Sequence, residues 1–300
     1  MYQNFEQLLS LCSEKKEALW QIILENECAV QNTTEKFVFT ELDKRFTVME
    51  ESAAKALDKP LATAGNLISG YACRHNAYNK KTPGLCGTFI NRVIALALSV
   101  SEVNASMGRI CAAPTAGASG IIPAVLIALN EREVSSSSAD TAGAAGRKKI
   151  LKALLTASGI GAVIVKNATV SGAEGGCQAE CASAAGMASA AAVEFAGGTP
   201  AQSLDAFCFC LMNAMGLICD PVAGLVQVPC AQRNASQAVN ALLSADMALA
   251  GMTSPIPADE VLEAMYRVGK MLPFELKETA RGGIAATKTG KLLRKSLLNG

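Results

Sequence analysis

ASAAGMASAAAVEFA, residues 182–196, is built almost wholly from small side chains. Ser183, Ser189 and Glu194 interrupt it and alanine is only weakly apolar, so it reads as a closely packed internal helix rather than a membrane span. Small residues let neighbouring backbones approach. With aromatics at only 5% of the chain, the core must be filled by Ala, Leu, Val and Met. That is helix packed on helix, and strand patterns are scarce elsewhere. The expected fold class is therefore all-α: a compact multi-helix domain over residues 1–300, with no convincing repeat of 20–50 residues and no clean boundary between two domains.

Working outward, a helix over about 147–165 precedes the small-residue loop KNATVSGAEGGCQAE, residues 166–180. On the other side, Thr199, Pro200 and Gln202 supply an N-cap, a first-turn proline and a capping-box partner for a helix over 200–216. Further helices are expected over 231–251 and from Pro257, where Val261, Met265 and Val268 share a face. Toward the N-terminus, Phe5, Leu8, Leu9 and Cys12 recur at helical spacing within 4–29. Asn32 and Glu35 offer a capping box to a helix over 34–59. A helix over 88–106 follows, and IIPAVLIALNER forms another. Between them, residues 60–87 are rich in glycine, proline and short polar side chains, which predicts loops and a hinge. This stretch holds His75, the only histidine and a candidate acid or base. EVSSSSADTAGAAG, residues 133–146, reads as a solvated connection.

Charge narrows the choice of partner. Lys plus Arg number 27 and Asp plus Glu 26, so no net field draws the chain onto nucleic acid or an anionic membrane, and a small-molecule ligand is expected. The first twenty residues lack the order of basic, apolar and small residues that marks a secretory signal. Eleven cysteines, an odd number and several of them in apolar helical patterns, fit reduced thiols in the cytoplasm better than a disulfide framework.

Three of these cysteines fall where a helix begins or ends: Cys177, Cys219 and Cys230. Cys219 and Cys230 bracket CDPVAGLVQVPC, in which Pro221 and Pro229 stiffen the ends and Gly224 permits a turn. Their spacing matches no CxxC pattern, so metal ligation and simple packing both remain open on the residues alone.

Context adds to this. GRICAAPTAGASGIIPAVL, SGAEGGCQAECASAAGMASAA, CDPVAGLVQVPCAQRNA and ETARGGIAAT, in this order, closely resemble the α chain of the iron-sulfur-dependent bacterial L-serine dehydratases. The resemblance implies a 4Fe-4S cluster on Cys177, Cys219 and Cys230, seated in loops at helix junctions. Three protein ligands would leave one iron free to act as a Lewis acid on the β-hydroxyl of L-serine, whose elimination ends in pyruvate and ammonia. It also implies substrate-binding roles near the motifs, for which Thr115, Ser119, Asn167 and Ser171 are the candidates. Glu174 joins His75 as a candidate catalytic group, and Asp220, Arg233 and Asn234 read as supports for the ligands. Cys181, Cys208 and Cys210 take packing roles, as do the remaining cysteines. The chain begins directly in α-type helices without the family's SSHT-containing β segment, so a separate β chain is expected to supply histidines. Fused relatives can end in a cysteine that caps the open iron, whereas this chain ends KSLLNG and no self-cap is expected. Two rivals stand beside this reading: a pyridoxal-phosphate lyase using Lys166, and a non-enzymatic helical scaffold with a structural zinc.

Overall fold

The small-residue run becomes α9, Ser183–Ala196, and the other helices are arranged around it in a computed structural model that describes residues 1–136 and 142–298. In chain order these are α1 Phe5–Lys15, α2 Leu19–Gln31, α3 Glu35–Lys55, α4 Tyr71–Lys81, α5 Gly87–Ala105, α6 Ile121–Ser136, α7 Ala142–Asn167 and α8 Gly172–Gly175, followed after α9 by α10 Pro200–Ala214, α11 Cys230–Leu249, α12 Ala258–Met271 and α13 Lys288–Leu298. Among the described residues there is no strand, only one isolated bridge between Cys219 and Lys277. The fold is all-α.

Helix α9 packs against α6, α7, α10 and α11, and twelve of its fourteen residues are buried, both serines included. Close approach is what the glycines there provide. A Cβ on Gly186 would lie 2.6 Å from the ring of Phe207 on α10, and one on Gly161 would lie 2.7 Å from Met187. The buried core runs from Tyr2 to Met265 without a break between N- and C-terminal halves. Among the described residues, the one helix that meets the length and hydropathy needed to cross a membrane is α7 over Ala145–Asn167 rather than α9, and 67% of its apolar window is buried in the protein.

Several sequence expectations shift in detail. The helix expected over 4–29 is two helices, because Lys16 turns left-handed (φ 58°) and its N–H closes onto Cys12 O. Residues 60–87, expected as loops, contain α4, so His75 lies on a helix. The α4 sequence has no apolar stripe to announce it: only Ala72 and Asn76 are buried. Polar contacts hold it instead. The buried Glu102 carboxylate of α5 accepts from the N–H groups of Leu61 (2.6 Å), Gly70 (2.9 Å) and Ala72 (3.4 Å), while Asn76 Nδ2 donates to Leu57 O (3.0 Å). The solvated connection over 133–146 is shorter than expected, since α6 runs to Ser136 and α7 starts at Ala142. Its centre, 137–141, lies outside the described residues, as do the last two residues of KSLLNG.

Burial also ranks the thiols. It pushes Cys208 up to about 12 and Cys210 to about 11, against an exposed Cys86 at the start of α5. Brief maleimide treatment at about pH 8 should label Cys86 well before either of the α10 cysteines. Peptide mass spectrometry reads the order, and early labelling of Cys210 would contradict the packing.

Candidate functional site

Two backbone devices set Cys177 in place. Helix α8 ends at Gly176 in a left-handed φ of 78°, and the chain then makes a π-helical turn over Gln178–Ala182 before entering α9. Such turns are rare and cluster at functional sites. Gln178 anchors this one: its N–H donates to Leu217 O (3.0 Å), its Nε2 to Gly175 O (3.0 Å) and Met265 O (3.2 Å), and its Oε1 accepts from Gly216 N (2.8 Å).

Cys219 is fixed through its own backbone, with its N–H on Leu276 O and its O accepting from Glu278 N, both at 2.8 Å. Cys230 is the first residue of α11. The loop between them is closed by Val222 N on Val228 O (2.9 Å). All three thiols are buried, at 2%, 4% and 8% exposure in chain order.

Cys177 is the electrostatic centre of the group. Its sulfur lies 3.4 Å from Cys181 Sγ, and the neighbouring Cys181 and Cys219 thiols, followed by the nearby Arg233 charge, hold it well below the ordinary thiol range. The resulting thiolate and burial push Cys181 and Cys219 up, and burial, followed by the charge on Cys177, lifts Cys230 to about 12. Arg233 is itself braced: Nη1 donates to Ile218 O and Nη2 to Asp220 Oδ1, each at 2.8 Å. Asp220 Oδ2 accepts from Ile284 N (2.7 Å), so one carboxylate joins the Cys219 loop, α11 and the GGIAA segment. Replacing it by asparagine removes the charge facing a half-buried guanidinium and one good acceptor. Asp220→Asn should lower unfolding stability by about 2 kcal/mol, read by denaturant titration.

Glu180 completes the group. Its Oε1 accepts from Thr115 Oγ1 (2.7 Å), and its Oε2 lies 3.9 Å from Cys219 Sγ. Burial pushes this carboxyl to about 7, against the pull of the Thr115 hydroxyl. Sequence reasoning passed over it, although it stands three residues after Cys177 in GCQAE, one helical turn away. The segment carrying Thr115 is held by Asn234, whose Nδ2 donates to Gly117 O (2.6 Å) and Cys230 O (2.9 Å) and whose Oδ1 accepts from Gly120 N (2.9 Å).

The other candidates have other surroundings. Ser119 is buried, its hydroxyl donating to Ala116 O (2.8 Å). Asn167 ties the end of α7 to Gln3 O (2.9 Å) and Val163 O (3.0 Å). Ser171 precedes α8 and its N–H donates to Thr169 Oγ1 (3.2 Å). Glu174 is exposed, paired with Lys270 and accepting from Thr169 (2.7 Å). His75 meets Asn91 Oδ1 at 3.0 Å, and burial lowers its pKa. Lys166 is exposed and lines an apolar cavity of about 560 Å³ with Arg45, Cys111 and Met187, none of them site residues.

Among the described residues, no three His, Cys, Asp or Glu side chains are gathered closely enough for a single metal ion. The donor set, three buried sulfurs with an adjacent guanidinium, suits a larger thiolate-bound group whose ligands sit at separate corners.

A family model described as serine dehydratase alpha chain matches residues 14–285. The chain belongs to the serine dehydratase α-chain family. A probable L-serine dehydratase, alpha chain, of Bacillus subtilis (strain 168) is 43% identical over 300 residues, covering 100% of this chain and 96% of that one. The L-serine dehydratase, alpha chain, of Peptoniphilus asaccharolyticus is 45% identical over 298 residues, 99% of each. L-serine dehydratase 1 of Escherichia coli (strain K12) is 35% identical over 293 residues, which are 95% of this chain but 61% of that longer protein. All three motif cysteines, Glu180 and Thr115 lie within the stretch matched by the serine dehydratase α-chain model.

Proposed function

We propose that this chain is the α subunit of an L-serine ammonia-lyase, converting L-serine to pyruvate and ammonia by β-elimination together with a separate β chain. Cys177, Cys219 and Cys230 would hold a 4Fe-4S cluster. The observation that carries the reading is the Glu180 carboxylate, three residues after Cys177, held by Thr115 and lying 3.9 Å from the buried Cys219 thiol, with Asn234 tying Cys230 to the segment that carries Thr115. Relatives of matching length carry the name L-serine dehydratase, alpha chain, which supports both the substrate and the division into subunits.

When bound, the cluster supplies a Lewis-acidic iron to stabilise charge on the departing hydroxyl oxygen. The chain's own residues do the rest. Glu180, at Oε2, is placed to take a proton beside the cluster ligands, while the Thr115 hydroxyl holds Oε1 and fixes the carboxyl's direction. The Cys181 and Cys219 thiols, with the Arg233 charge behind them, favour the anionic form of Cys177 that ligation requires, and Asp220 keeps Arg233 in place. Eleven unpaired cysteines suit a reducing compartment, the cytoplasm. Lys166 stands apart from this group, and zinc in a tetrahedral thiolate site would ask for ligands gathered around one point.

Anaerobic purification with and without a candidate β chain tests the reading through iron and sulfide content and serine-dependent pyruvate formation. Iron with sulfide, and pyruvate in the presence of the β chain, are expected. Zinc alone, or an iron-loaded complex that leaves serine intact, would overturn it.

A further inference from the structure

The apolar cavity of about 560 Å³ that Lys166 lines has one wall on α7. Ser158, Gly161, Ala162 and Val165 follow one another there at helical spacing, so small side chains leave the space open and an aliphatic one borders it. Ser158, Ala162, Val165 and Lys166 are exposed, and a solute reaches the cavity directly along this face. Met187 of α9 adds a flexible thioether, a side chain that adapts to the shape of an apolar guest. A further wall is the segment from Cys111 to Pro114, and the residue after Pro114 is Thr115, which holds Glu180.

Charge in the lining has one sign. Arg45 and Lys166 are its ionised side chains, and it contains no Asp or Glu. Arg45 is shared with Glu41, outside the lining, at 3.2 Å. Among the described residues no carboxylate pairs with Lys166. A lining of this kind is complementary to a molecule with an apolar body and one anionic end. An apolar amino acid fits it less well, because its ammonium group enters a cavity with two cations and no carboxylate to receive it.

We propose that this cavity is a binding site for an aliphatic carboxylate, with the carboxylate on Lys166 and the chain along Ala162, Val165 and Met187. A guest so held rests on the segment that leads into Thr115. The proposal is independent of the serine ammonia-lyase reading, and its test does not use pyruvate formation.

Octanoate is the probe, titrated calorimetrically into the full-length chain. Octanol, which lacks the charge, and L-leucine, which adds an ammonium group, are the comparisons. Octanoate should bind saturably below about 1 mM, and about tenfold more tightly than either. Lys166→Met keeps an apolar stem and removes the charge, and should weaken octanoate about tenfold. Ala162→Leu places a larger side chain in the cavity from an exposed helical position, and should abolish binding. Cys111 reports the location: it is a half-buried thiol of the lining, raised by burial, and is alkylated by iodoacetamide at about pH 9. Octanoate should slow its alkylation severalfold and leave the exposed Cys86 unaffected, as read by peptide mass spectrometry. If either α7 variant fails to fold, protection of Cys111 in the wild type carries the test. Octanol or L-leucine binding as tightly as octanoate, unchanged affinity in folded Lys166→Met, or no protection of Cys111 would overturn the proposal.

Discussion

Cys177→Ser, Cys219→Ser and Cys230→Ser should each lose most of the bound iron and sulfide, and pyruvate formation should fall at least about a thousandfold, the rate equivalent of about 4 kcal/mol of lost charge stabilisation. A serine oxygen is a harder and less readily ionised donor than a thiolate, so each replacement removes a ligand at almost constant volume. The three variants should differ in what remains. Cys177 packs on Cys181 and faces the Arg233 charge, so its loss also leaves that guanidinium with Asp220 as its one remaining anion and should cost stability. Cys230 carries no such burden, and its serine variant should unfold close to wild type. Cys208→Ser is the control: it sits in α10 with its thiol toward Ile256 O, and should keep iron and activity. Equal losses at Cys208 would show that the variants act through general packing and not through ligation. Iron and sulfide assays with thermal unfolding on the same preparations separate these outcomes.

Glu180→Gln should cut kcat by about a hundredfold to ten-thousandfold with iron content retained, the range expected when a proton-transferring group is removed. The amide keeps an acceptor for the Thr115 hydroxyl, so the local geometry survives while the proton-accepting oxygen is lost. Thr115→Val should cost less, because it frees the carboxyl to turn without deleting it. Glu174→Gln, on the exposed pair with Lys270, should leave kcat within about twofold of wild type, as expected for a solvent-exposed ion pair. An active Glu180→Gln alongside an inactive Glu174→Gln would move the proton-handling role to the α8 carboxylate.

Much of the fold could be read from the chain because its helices announce themselves locally. Thr199, Pro200 and Gln202 cap α10 as their pattern implies, and the small-residue run is buried as α9. Helix α4 was invisible for the opposite reason: its anchor, Glu102, lies more than twenty residues beyond its end and acts through backbone N–H groups that leave no sequence pattern. The site shows the same division. Cys177, Cys219 and Cys230 carry motif signals, whereas Glu180 resembles any helical glutamate until Thr115, sixty-five positions earlier, is brought against it.

The bridge between Cys219 and Lys277 also has a temporal meaning. The backbone partners that fix Cys219 are Leu276 and Glu278, and the amide that steadies Asp220 belongs to Ile284. During synthesis, a chain that has emerged only as far as α11 already displays all three motif thiols, yet Cys219 has none of these partners. Assembly of the thiol group is thereby deferred until the segment through Ile284 has left the ribosome. On the proposed reading, cluster delivery belongs to a late step of maturation, after nearly the whole chain has emerged.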